Sequence, residues 1–163
     1  MKASGLVALF GDGAGALIVG VGFELVSAAQ TVRPNSDSNA DGHASGLVFR
    51  PSFKLPETVR DNAKECLVEG VGPHVLGGGW NDLFWAVHPG GRKILGSVEE
   101  GLALALGKLH ASRRVLSQYG NMSGASIIFV LDELRRHDDM PQGGLGVMPG
   151  ISIETMLLRA AAA

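Results

Sequence analysis

Residues 82–91 read Asp82-Leu83-Phe84-Trp85-Ala86-Val87-His88-Pro89-Gly90-Gly91. The first six are too few for a helix of their own and are rich in strand formers. The spacing therefore predicts a strand over 82–87 that delivers His88 to its end. Two glycines stand directly behind the histidine, where missing side chains let a ligand or another loop come close.

Downstream, Ile94, Leu95, Val98 and Leu102 recur at helical spacing. Residues 111–119 predict a short helix ended by Gly120, and a further helix spans about 123–136. Its inner face carries Ile127, Val130, Leu131 and Leu134, and Arg135 and Arg136 suit its negative end. The closing run ISIETMLL predicts a strand with Ile151, Ile153, Thr155 and Leu157 on one side.

Upstream, Pro56 opens a helix with Glu57 in its first turn, and Val59, Ala63, Cys66, Leu67 and Gly70 give it one buried face. Residues 72–79 form a glycine-rich connection to the strand at 82. Residues 14–21, 24–32 and 46–50 read as strands, and the polar run from Pro34 to Ser45 as a loop. Strands alternate with helices, so the fold class is α/β, in one domain over 1–163.

Composition narrows the function classes. The chain is 45% hydrophobic and 18% charged, with a net charge of -2, so nothing in it reads as a nucleic-acid footprint or a membrane-binding basic cluster. No apolar run approaches the roughly 20 residues of a membrane span. A single cysteine excludes a disulfide framework and fits a reducing, cytoplasmic setting. Twenty-four glycines suit an α/β fold with tight turns better than a plain helical bundle.

Each motif has a structural reading beside a chemical one. Gly11-Asp12-Gly13-Ala14-Gly15-Ala16 fits the relaxed dinucleotide fingerprint, but that fingerprint needs a helix after it, and the strand-like LIVGV follows. Its glycines read instead as places where the chain passes close to other backbone. A lone histidine at a strand end is more often structural than catalytic, and Gly90 and Gly91 shift that balance for His88. Asn121, between Gly120 and a new helix, reads on its own as a left-handed turn residue or a cap. His43, His74, His110 and His137 lie in connections or past a helix end, and Cys66 lies on a buried helix face. No His/Cys/Asp/Glu cluster has metal-ligand spacing.

The ordered set FGDGAGALIVG, FWAVHPGG, ASRRVLSQYGNMSGA, FVLDELRR and PGISIET resembles the carboxy-terminal domain of the chalcone and stilbene synthases, the type III polyketide synthases. It implies a thiolase-like fold, this chain supplying the carboxy-terminal half of an αβαβα sandwich with a mixed sheet. The implied chemistry is acyl transfer with CoA thioesters as substrates and no cofactor. A cysteine takes an acyl group from a starter acyl-CoA, and malonyl-CoA loses carbon dioxide to give an enolate that attacks it. His88 and Asn121 match the family's catalytic His and Asn. Gly90 and Gly91 would line the thioester approach, and Ser123 and Pro149 match positions near the acyl pocket. The implied partners are malonyl-CoA, a starter acyl-CoA, and a second copy in a homodimer or a full-length homologue.

Three departures from the family pattern bear on function. The resemblance starts with the family's second half, so the catalytic Cys, a gatekeeping Phe and most CoA-contacting basic residues are expected to be absent. The segment QGGLGVMPG is shorter than the family's, so part of a core strand is expected to be missing. Arg92-Lys93 stands where the family has small or proline-like residues, and reads either as exposed helix charge or as added attraction for CoA phosphates. Two readings result: an acyltransferase incomplete on its own, or a catalytically silent paralogue that binds only a full-length homologue or CoA esters.

Overall fold

The computed structural model describes residues 9–16, 23–30, 40–43, 46–51, 54–75, 79–137, 145–149 and 154–160. Strands β1 (Phe23–Gln30), β2 (Ala40–His43) and β3 (Gly46–Pro51) precede helix α1 (Leu55–Val71). A 3-10 turn at Trp80–Asp82 leads into β4 (Phe84–Trp85). Helices α2 (Arg92–Leu102), α3 (His110–Tyr119) and α4 (Ala125–Arg136) follow, then β5 (Leu145–Pro149) and β6 (Glu154–Ala160).

The main sheet has four strands in the order β1-β6-β5-β4. β6 is antiparallel to both β1 and β5, whereas β5 is parallel to β4, so the sheet is mixed. The two faces of this sheet explain the run of apolar residues at 83–87. Leu83, Trp85 and Val87 pack with Leu67 and Val71 of α1, Leu95, Val98 and Leu102 of α2, and Leu157 of β6. Phe84 and Ala86 pack with Val115 of α3, Val130 and Leu134 of α4, and Leu158 and Ala160 of β6. Helices cover both faces, which is why β4 reads as a continuous apolar run instead of an alternating one. The result is the α/β architecture the alternation of elements predicts.

The helices lie where apolar periodicity places them. Leu95, Val98 and Leu102 are the buried positions of α2, and Val130, Leu131 and Leu134 are among those of α4. In α1, Cys66, Leu67 and Val71 are buried, and Pro56 sits in the first turn.

The strands depart from expectation in four places. The predicted strand at 82–87 pairs only at Phe84 and Trp85, because β5 meets it only at Gly146 and Val147. Within the predicted loop, Ala40–His43 forms β2, since antiparallel pairing with β3 satisfies its backbone whatever its polar composition. Ala14–Ala16, expected to open a strand, lie outside any strand and are exposed, and the rest of that prediction falls outside the described residues. In β6, Thr155 and Leu157 are buried as the alternation requires, but so are Leu158 and Ala160, because both faces are covered. Ile151 and Ile153 lie outside the described residues.

The segment expected to be short of a core strand supplies five residues, Leu145–Pro149, paired on one side with β4 and on the other with β6. No helix among the described residues is long and apolar enough to cross a membrane.

Candidate functional site

The chain leaves the sheet at Trp85 and runs through buried Ala86 and Val87 to His88, which is 9% exposed. Within two residues it turns sharply, with the amide of Gly90 donating to the carbonyl of His88 at 2.9 Å. Gly91 then takes φ 157° and ψ 161°, a conformation essentially reserved to glycine, and starts α2. The two glycines therefore lead the backbone into the helix within four residues of His88.

Among the described residues, burial and no charged group governs His88. Its Nε2 is fully enclosed and finds no hydrogen-bond partner among the described residues. Burial penalises the imidazolium form and pushes the group below the ordinary histidine pKa. A neutral ring with an unpaired buried nitrogen costs about 1–3 kcal/mol. Such a group in a folded protein calls for an explanation, and a bound ligand or water that takes the nitrogen's hydrogen bond is one.

Asn121 comes to the same place from the other side. α3 ends at Gly120, whose φ of 72° turns the chain. The main chain of Asn121 is then clasped from both directions: its amide donates to Leu9 O at 2.8 Å, and its carbonyl accepts from Gly11 N at 3.0 Å. A Cβ on Gly11 would come within 1.7 Å of the Tyr119 carbonyl, so the first glycine of GDGAGA serves close backbone passage, as its sequence context suggests. Asn121 is 5% exposed. Its Oδ1 accepts from Ser123 N at 2.9 Å, and its Nδ2 donates to the Gly90 carbonyl at 3.4 Å, a long bond that leaves its second N–H for another acceptor. Asn121 is thus neither the left-handed residue nor the cap of α4; Gly120 and Gly124 take those places.

Gly90, Ser123 and Asn121 are joined by these bonds, and His88 is tied in through Gly90. Ser123 is exposed and holds φ 55°, an unusual value for a residue with a side chain. Pro149 ends β5 opposite Thr155. Arg92 and Lys93 are both exposed in the first turn of α2. Cys66 is 2% exposed on α1.

Two buried serines escape motif reading. Ser112 is fully buried and donates to the Val87 carbonyl at 2.7 Å, and fully buried Ser126 accepts from Met122 N at 2.8 Å. The signal for Ser112 was a hydroxyl three residues before Val115, on the face of α3 that turns inward.

The comparisons with known proteins give the family. The pattern of the family described as chalcone and stilbene synthases, C-terminal domain, matches residues 24–162. Bisdemethoxycurcumin synthase of Oryza sativa subsp. japonica is 47% identical over 181 residues, covering 93% of this chain and 43% of that protein. The chain thus spans under half the length of that relative. With the family pattern running through the sheet, both helical layers and the His88–Asn121 corner, the chain belongs to the chalcone and stilbene synthases, whose C-terminal domain it carries.

Proposed function

We propose that His88 and Asn121 form a pair of hydrogen-bond donors for the thioester oxygen of malonyl-CoA. Loss of carbon dioxide leaves an enolate whose negative charge sits largely on that oxygen. Two fixed donors aimed there stabilise the transition state more than the ground state. An imidazole N–H and a carboxamide NH₂ are both suited to this. The observation that carries the reading is the buried Nε2 of His88, without a hydrogen-bond partner among the described residues, two residues before the Gly90 carbonyl that Asn121 reaches.

In balance, malonyl-CoA and one proton give acetyl-CoA and carbon dioxide. In the full condensation the enolate carbon instead forms a bond to the carbonyl of a cysteine-bound starter acyl group, and the thiolate leaves. Gly90, Gly91, Ser123 and Pro149 would border the approach of the thioester and acyl chain. CoA thioesters carry the activation themselves, so the reading calls for no resident cofactor. It places the protein in the cytoplasm, acting on malonyl-CoA and a starter acyl-CoA, as a homodimer or beside a full-length homologue.

The one cysteine of the sequence favours a second reading. Cys66 is buried in α1, where it is in no position to carry an acyl group. Condensation would then need a cysteine supplied from elsewhere, and a chain without that supply is a silent paralogue that binds a homologue or CoA esters. Decarboxylation separates the two, because it needs the donors and not the nucleophile. Purified chain incubated with malonyl-CoA is expected to release carbon dioxide and form acetyl-CoA, and His88→Ala to abolish both. No release above the rate without protein would favour the silent paralogue.

A further inference from the structure

We propose that Ser112 is a positioning residue that sets the spacing between His88 and Asn121, an inference that rests on the donor-pair reading of those two residues. Among the described residues the ladder between β4 and β5 stops at Trp85, two residues before the Val87 carbonyl and three before His88. Val87, buried and next to His88, lies beyond that ladder, and its carbonyl takes its hydrogen bond from the Ser112 hydroxyl at 2.7 Å.

Ser112 stands in the first turn of α3, and Asn121 follows Gly120 directly after that helix. One rigid ten-residue helix therefore links the two halves of the site, hydrogen-bonded at its start to the residue before His88 and continuous at its end with Asn121. Lys108 strengthens the same junction: its Nζ donates to the Leu83 carbonyl at 3.1 Å, so side chains near the start of α3 hold carbonyls on either side of β4. Of these two bonds, that of Ser112 is the buried one and lies next to the site. Loss of its hydroxyl leaves the Val87 carbonyl buried without a donor and frees the strand end to shift. Donor pairs are sensitive to such shifts, since misplacement by about 1 Å can cost on the order of 100-fold in rate.

The test compares Ser112→Ala, Ser112→Thr and Ser112→Cys in isotope-labelled protein with Val130→Ala, a core truncation in α4 that removes none of the hydrogen bonds joining Ser112, Val87, Gly90 and Asn121. Ser112→Ala is expected to move the ring resonances of His88 and the side-chain amide resonances of Asn121, and to slow carbon dioxide release from malonyl-CoA about 10-fold or more. Ser112→Thr is expected to restore both, and Val130→Ala to leave both near the unmodified values. Should Ser112→Ala fail to fold, Ser112→Cys keeps the shape with a weak donor and is expected to give a partial shift. Unchanged His88 and Asn121 resonances in folded Ser112→Ala or Ser112→Cys would overturn the proposal. Absence of carbon dioxide release from the unmodified chain would instead overturn the donor-pair reading, with the resonances still deciding whether Ser112 positions His88.

Discussion

A histidine ring moved out of water loses most where it carries charge, and His88 shows that cost at the scale of one residue. Burial lowers its pKa from the ordinary value near 6.5. Just below that pH the unfolded chain binds a proton that the folded chain does not. The stabilisation is therefore complete above about pH 6.5 and is lost as pH falls toward the lowered folded value. Urea denaturation from pH 7.5 to 5.5 is expected to show the unmodified chain losing stability relative to His88→Gln on acidification. The relative slope should not exceed about 1.4 kcal/mol per pH unit, the limit for one proton. A relative gain on acidification would mean that an acidic partner, not burial, governs the ring. His88 and Asn121 stood out in the sequence because short motifs surround them, and the fold links them through Gly90. The roles of the two serines did not, since a helical hydroxyl shows at most that it faces inward, and its partner, the Val87 carbonyl for Ser112 and the Met122 amide for Ser126, is set only by the fold.

Among the elements, α2 contains a natural experiment in two glycines. Gly96 has open space around it, whereas a Cβ on Gly101 would come within 2.4 Å of the Arg60 carbonyl on α1. Gly96→Ala is expected to stabilise the chain by about 0.5–1 kcal/mol, through helix propensity alone. Gly101→Ala is expected to destabilise it by about 1–3 kcal/mol, because backbone on α1 must move. Thermal denaturation of the two variants measures both, and equal effects would contradict the close packing of α1 on α2. Helices were the most legible elements because Leu95, Val98 and Leu102 repeat the helical period within a single segment. Strands were less so. β2 depends on its partner β3, and β4 is cut to two residues by where β5 meets it, both facts of pairing that local sequence does not carry.

For the whole molecule, burial on both faces of one sheet is the organising fact. Leu157 faces the layer of α1 and α2, and Leu158 and Ala160 face that of α3 and α4, so β6 is apolar on both sides. That arrangement carries His88 out of the sheet on one connection and Asn121 on another, and it lies within the region that matches the family. The chain aligns with 43% of the rice relative, so the proposed donor pair is best examined where a catalytic cysteine can be supplied. The most direct measurement is product formation by a chimera in which this chain replaces the aligned portion of that relative, given malonyl-CoA and the relative's own starter thioester. The unmodified chimera is expected to condense the two, and His88→Ala and Asn121→Ala each to slow it by about 100-fold or more, the usual effect of removing one such donor. A folded chimera that is inactive, or one that condenses as fast without His88 and Asn121, would contradict the donor pair.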